Sequence, residues 1–145
     1  TLGDMMGLNA TPFSMLSEDY MLNLNANEEE LKNVVEPLIQ ILNGLVQVPQ
    51  LVQPLLDAGL AQAVKLVNDL YPEDLDIIAL NFDTMQKISN QKGGRDFMIE
   101  KGLVPSIMNN LTKVAEHDNP QAILNGFKVI SNLTKSDKGK EAVLV

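Results

Sequence analysis

The single histidine is the residue best suited to acid–base or metal chemistry. His117 lies in the stretch AEHDNP, with Glu116 and Asp118 on either side. Adjacent residues do not converge on an ion without further ligands from elsewhere in the chain. The Asn-Pro pair that follows indicates a turn. We therefore interpret His117 as a solvent-exposed turn residue and predict no metal site.

A second group that could take part in acid–base or metal chemistry is the acidic cluster Glu73, Asp74 and Asp76. It follows Pro72, where a helix is expected to begin, and acidic residues are favoured in the first turn of a helix. The cluster lacks the alternating ligands and central glycine of a calcium loop. The glycines in KGGR (92–95) lack the spacing of a phosphate-binding loop. We predict no catalytic residue, no cofactor and no enzyme activity.

Composition narrows the function further. The chain has 145 residues, 11 basic against 19 acidic, and no cysteine. A net charge of −8 disfavours nucleic acid, since binding to phosphates relies on cationic contacts. The most apolar region, 34–56, is broken by three prolines and predicts no membrane span. We expect a cytoplasmic protein, with the nucleus and cytoskeleton as alternatives, and interpret both chain ends as cuts in a longer protein.

The spacing of apolar residues predicts an all-α fold. The first helix is expected from Asn27 to about residue 47, capped by Asn27, with apolar residues three and four apart. Pro37 lies within it, so either the helix kinks or two shorter helices meet there. The predicted buried face consists of Leu31, Val34, Val35, Leu38, Leu42 and Leu45.

The order of the remaining elements repeats. A short helix (PQLVQPLLD), a break at Gly59, a medium helix (LAQAVKLVNDLY) and a long helix (EDLDIIALNFDTMQKISN) lead to Gly93-Gly94. A short helix (RDFMIE), a break at Gly102, a medium helix (LVPSIMNNLTKVAE) and a long helix (QAILNGFKVISNLT) then follow, and 137–139 closes the unit. We predict a linker or cap at 1–26, a partial unit at 27–47, full units at 49–93 and 95–139, and the start of another at 140–145.

The period is 42 to 44 residues. Gly59 and Gly102 are 43 apart, and the tripeptide Ile-Ser-Asn occurs at 88–90 and at 130–132, a spacing of 42. Armadillo and HEAT repeats have periods of roughly 40 to 47 residues. The segments KGLVP (101–105) and ISNL (130–133) resemble the armadillo repeat. Gln62 and Gln91 depart from its pattern in the earlier unit and leave a HEAT-like variant open.

This resemblance implies a right-handed α-solenoid of armadillo/HEAT-like three-helix repeats, part of a longer solenoid. Armadillo proteins bind extended partner segments in a groove lined by the third helices. In the nuclear-import receptors a Trp and, four residues later, an Asn recur on that helix. The Asn positions match Asn90 and Asn132, and the Trp positions match Gln86 and Lys128.

The chain contains no Trp, which disfavours basic nuclear-localisation peptides as ligands. Lys128 beside Asn132 suits an acidic or polar protein segment, as in the β-catenin-like branch. The sequence therefore predicts a non-catalytic protein-interaction scaffold. The alternative functions are a structural subunit of a cytoskeletal or ciliary assembly and a nuclear-transport adaptor. The alternative role of Asn90 and Asn132 is only to satisfy polar groups at helix ends. The oligomeric state stays open.

Overall fold

The structure, a computed structural model, describes residues 28–144. Within this range the chain forms eight α-helices and no strand, which confirms the all-α prediction there. The predicted linker at 1–26 and the predicted cap Asn27 lie outside the described residues. The helices are α1 (Glu28–Val46), α2 (Pro49–Asp57), α3 (Leu60–Leu70), α4 (Leu75–Ile88), α5 (Lys92–Glu100), α6 (Val104–Glu116), α7 (Pro120–Leu133) and α8 (Asp137–Leu144).

Helix α1 is a single element that runs through Pro37. Its buried face differs from the predicted one, because Val34 and Leu45 are 39% and 36% exposed while Ile39 and Val46 are buried. The reason is the position of α4, which contacts α1 on the side of Asn43. The residues three and four positions from Asn43 on that side, Ile39 and Val46, are therefore covered instead.

Helix α4 buries one apolar face, which includes Ile78, Phe82, Met85 and Ile88. Its start is fixed by Asp74, whose Oδ1 accepts a 3.1 Å hydrogen bond from the Ile77 amide. A side-chain oxygen at this position satisfies one of the amides that have no partner within the helix. The acidic cluster of the sequence therefore has a structural role at Asp74.

A salt bridge joins this cap to α1: Lys32 Nζ lies 2.6 Å from Asp74 Oδ2. Partial burial acts to raise the pKa of Asp74. The hydrogen bonds from Lys32 and from the Ile77 amide outweigh burial, so the pKa lies below its usual value. The hydrogen bond to Asp74 in turn raises the pKa of Lys32. The pair thus ties the start of α4 to the start of α1.

We expect Asp74→Ala to lower the free energy of unfolding by about 1 kcal/mol, the usual cost of losing a side-chain N-cap. Asp74→Asn retains a capping oxygen and should cost less. Because the folded pKa of Asp74 is lowered, its contribution is present above the unfolded pKa and is lost as the pH falls from about 4. Urea denaturation of the three proteins as a function of pH tests this: the wild type should lose more stability on acidification than Asp74→Asn. Equal loss would contradict the role of the carboxylate.

The glycines after α4 lie in a different element from the predicted one. Helix α4 ends at Ile88 and α5 begins at Lys92, so Gly93 and Gly94 belong to the first turn of α5. A Cβ on Gly94 would lie 2.1 Å from the carbonyl oxygen of Ile88. This close approach, and not a helix stop, explains the glycine. Residues 137–139 likewise lie in the first turn of a helix, α8.

The two Ile-Ser-Asn tripeptides occupy different positions in their helices. Ile88 is the last residue of α4 and Ser89 is its C-cap, whereas Ile130 to Asn132 lie inside α7, which ends at Leu133. Counted from the helix ends, Ile88 corresponds to Leu133, 45 positions later. Gly94 and Gly139 are also 45 apart, and each approaches the carbonyl oxygen of the corresponding residue. The 42-residue spacing of the tripeptides is therefore not the structural register of the long helices.

Helices α1, α4 and α7 lie side by side, with α4 packed against both of the others. Lys32 contacts Asp74 near the start of α1, and Asn43 contacts Thr84 further along, so α1 and α4 run parallel. A Cβ on Gly126 would meet the Phe82 ring, and Asn132 bonds to Ser89, so α4 and α7 run parallel too. Together they form a row of three parallel long helices.

Candidate partner-binding surface

The predicted site residues all belong to α4, α7 and the turns that follow them. Three of them and several nearby residues, all at least partly exposed, form what we call the α4–α7 surface. Lys135 Nζ lies 3.4 Å from Asn90 Oδ1 and joins the C-terminal ends of the two helices. The surface consists of Gln86, Lys87, Asn90, Leu124, Lys128, Ser131 and Lys135.

Asn132 is not part of this surface, because it is only 7% exposed. Its Nδ2 donates hydrogen bonds to the Gln86 carbonyl oxygen, at 3.2 Å, and to Ser89 Oγ, at 2.9 Å. Both amide hydrogens are therefore used between α7 and α4. At this position the geometry favours the alternative that the asparagine satisfies groups at a helix end.

Asn90 differs from Asn132 in exposure and role. It lies in the turn after α4 and is exposed. Its backbone carbonyl accepts a 3.0 Å hydrogen bond from Arg95 Nη1, which holds the turn. Among the described residues, the side-chain amide nitrogen of Asn90 donates no recorded hydrogen bond. Asn90 thus retains a donor that a bound segment could use.

The positions matched to the Trp of import receptors are also not equivalent to each other. Lys128 lies five residues before the end of α7, which corresponds to Asp83 in α4. Gln86 lies two residues before the end of α4 and corresponds to Ser131. Gln86 is partly buried and Lys128 is exposed. Both residues thus lie at the surface, but they do not occupy equivalent positions in their helices.

The α4–α7 surface is cationic, although the chain as a whole is acidic. It carries Lys87, Lys128 and Lys135. The nearest carboxylate on α4, Asp83, accepts hydrogen bonds from Asn43, at 2.9 Å, and from Gln47, at 3.3 Å. This carboxylate therefore accepts hydrogen bonds from α1 and from the residue that follows it, while Lys128 and Lys135 are exposed.

One feature of the α4–α7 surface and one contact between other helices are not evident in the sequence alone. Leu124 of α7 is 46% exposed beside Lys128 and adds an apolar contact to the α4–α7 surface. In addition, Asn110 Nδ2 donates a 2.8 Å hydrogen bond to Asn68 Oδ1, and both residues are buried. Asn68 also donates to Ser106 Oγ. The 42-residue spacing of Asn68 and Asn110 is the one sequence signal that could have indicated this contact.

The residues considered for catalysis are dispersed or engaged. His117 is exposed at the C-terminal end of α6. A cleft of about 760 Å³ lies between the start of α1 and the turn before α4, and Asp74 and Glu73 line it. Glu73 forms a 2.7 Å salt bridge with Lys113, and Asp74 caps α4. Both carboxylates are thus tied to lysines that hold neighbouring helices together.

Residues 28–144 contain neither a metal-binding group nor a membrane-spanning helix. No group of three or more histidine, cysteine or acidic side chains in this range could hold a metal ion. None of the described helices combines the length and apolar character needed to cross a membrane. In α5 the Lys92 ammonium donates a 2.6 Å hydrogen bond to the partly exposed Asp96, and this bond raises the pKa of Lys92 and lowers the pKa of Asp96.

No protein-family model matches the chain, and searches of curated proteins and of solved structures found no match either. The armadillo resemblance therefore rests on the residues quoted above and stays a prediction.

Proposed function

We propose that this chain is a non-catalytic protein-interaction scaffold that binds an acidic or polar protein segment along the α4–α7 surface. The fold we propose for it is an armadillo/HEAT-like right-handed α-solenoid. The row of parallel helices α1, α4 and α7 supports this fold, because third helices of stacked repeats run parallel in a solenoid. Sequence separations of 40 to 46 residues across these contacts fit the repeat length.

The observation that carries the function is the exposed cationic surface in a chain of net charge −8. Lys128 and Lys135 are exposed, and Leu124 lies one helical turn from Lys128. Positive charge next to an apolar side chain suits a segment that alternates acidic and apolar residues. Charge complementarity of this kind sets partner choice and association rate.

Within this surface, Asn90 is our candidate for holding the backbone of the bound segment, since the residue is exposed. Asn132 is not a candidate for this role, because its amide hydrogens bond to Gln86 and Ser89. Gln86 contributes at the edge through its partly exposed side chain. The proposed binding residues are thus Gln86, Asn90, Lys128 and Lys135.

The test uses fluorescently labelled extended peptides in which glutamate alternates with leucine. We expect the double variant Lys128→Glu/Lys135→Glu to weaken binding at least tenfold, because two attractive charges become repulsive. Titration followed by fluorescence anisotropy gives the dissociation constants. Affinity should also fall as salt is added.

Lys101→Glu/Lys138→Glu is the matched control, because it makes the same charge change at exposed positions outside the α4–α7 surface. It should bind the peptide nearly as well as the wild type. Asn90→Ala should weaken binding and Asn132→Ala should not, provided that circular dichroism shows both variants folded. Equal weakening by the two lysine pairs would mean that only overall charge matters and would sink the site assignment.

The alternative function, a structural subunit of a larger assembly, is supported by a separate observation. Apolar side chains are exposed on α1 and on α7, outside the α4–α7 surface: Ile41 is 50% exposed and Phe127 is 61% exposed. Substitutions there should disrupt assembly and leave peptide binding unchanged.

A further inference from the structure

One apolar face lies on the side of α1 that α4 leaves uncovered. Asn43 marks the side of α1 that contacts α4. Ile41 and Leu45 are each two residues from Asn43, which places them about 160° from it around the helix. Val34 lies on the same side, seven residues before Ile41. Their exposed fractions are 39% for Val34, 50% for Ile41 and 36% for Leu45, and we call them the α1 end face.

A second apolar face lies on the far side of α7. Asn132 marks the side of α7 that contacts α4. Ile130 is two residues from Asn132, and Ile123 and Phe127 lie on the same side as Ile130 at spacings of seven and three. Phe127 is 61% exposed, and the two isoleucines are partly exposed. We call Ile123, Phe127 and Ile130 the α7 end face.

The two end faces lie at opposite ends of the row of parallel helices, because α4 lies between α1 and α7. Each is the face against which one more parallel helix could pack. Within the chain, α1 packs on α4 and α4 packs on α7 with the same direction each time. The α1 end face of another copy would continue this row beyond α7.

The charges around the end faces are complementary. Helix α1 contains four glutamates and one lysine, a net charge of −3. Helix α7 contains one lysine and no acidic residue, a net charge of +1. Opposite charges attract when α1 of one copy approaches α7 of another, whereas two α1 helices or two α7 helices would repel each other.

We propose that copies of this chain associate head to tail, with the α7 end face of one copy packed on the α1 end face of the next. The contact joins two different surfaces and leaves one free face at each end. Such a contact does not close on itself unless the copies form a ring, so it adds further copies as the concentration rises. The apolar residues of this contact lie outside the α4–α7 surface proposed for peptide binding.

The test compares wild type, Phe127→Glu and Ile41→Glu by sedimentation velocity from micromolar to millimolar concentrations. Both substituted side chains are at least half exposed, so folding should be retained, and circular dichroism checks this. Wild-type mass should grow with concentration and shrink as salt is added. Each variant alone should stay monomeric, with self-association weakened at least tenfold. Asn109→Glu, at an exposed position of α6, is the control and should behave as wild type.

A mixture of the two variants distinguishes a head-to-tail contact from a symmetric contact between like faces. Phe127→Glu keeps an intact α1 end face and Ile41→Glu keeps an intact α7 end face, so the mixture should form dimers and nothing larger. A wild type that is monomeric at all these concentrations would overturn the proposal. So would a single variant that still dimerises alone, because that outcome requires a symmetric contact between like faces.

Discussion

Phe82→Ala is expected to lower the free energy of unfolding by about 3–5 kcal/mol, the range for removing a buried aromatic side chain. Phe82 is only 1% exposed and is among the largest fully buried side chains of the described residues. It lies on α4, the helix that packs against both α1 and α7. A Cβ on Gly126 of α7 would lie 3.0 Å from the Phe82 ring, which shows how closely α7 covers it. Urea denaturation followed by circular dichroism measures the change.

Phe127→Ala is the matched control for Phe82→Ala, because it makes the same chemical change at a side chain that is 61% exposed. We expect it to change the free energy of unfolding by no more than about 0.5 kcal/mol, as is usual for surface substitutions. A loss for Phe82→Ala as small as that for Phe127→Ala would show that α4 is not the centre of the packed helices.

Gly94→Ala and Gly139→Ala are each expected to lower the free energy of unfolding by about 1–3 kcal/mol, the usual cost of overpacking. The new Cβ would lie 2.1 Å from the Ile88 carbonyl oxygen in one case and 1.8 Å from the Leu133 carbonyl oxygen in the other. These partners are backbone atoms at helix ends, so relief requires the start of α5 or α8 to move. Chemical denaturation of each variant gives the loss.

The control is Gly93→Ala, one residue before Gly94 in the same helix turn. A Cβ there meets nothing within 4 Å, so alanine should stabilise the protein by about 0.5–1 kcal/mol through its higher helix propensity. Destabilisation by Gly94→Ala but not by Gly139→Ala would argue that the two glycines are not corresponding positions. That result would contradict the 45-residue register of α4 and α7.

The all-α class and part of the buried face of α1 followed from apolar spacing, because a helix repeats every 3.6 residues whatever it packs against. The face of α1 was wrong at Val34 and Leu45, since which side is covered depends on the distant helix α4. The helix boundary at Gly93-Gly94 was misplaced because a glycine that permits close contact looks in sequence like a glycine that ends a helix.

The candidate site was only partly predictable. Lys128, Gln86 and Asn90 were expected at the surface and lie there, at least in part. Asn132 was matched to Asn90 through an identical tripeptide, yet it is buried against Gln86 and Ser89. Identical tripeptides do not guarantee identical positions in their helices. The tripeptides are 42 residues apart and the helix ends are 45 apart, and this difference of three appears only when the helix ends are known. Whether these residues bind a partner stays a prediction.

The buried Asn68–Asn110 hydrogen bond also limits how α3 and α6 can slide along each other. Apolar surfaces tolerate small shifts, because one methyl group can replace another. A shift by one helical turn, about 5.4 Å, would separate these amides and leave them unpaired at a cost of about 1–3 kcal/mol each. Together with the hydrogen bond from Asn68 to Ser106, these polar side chains favour a single alignment of α3 and α6.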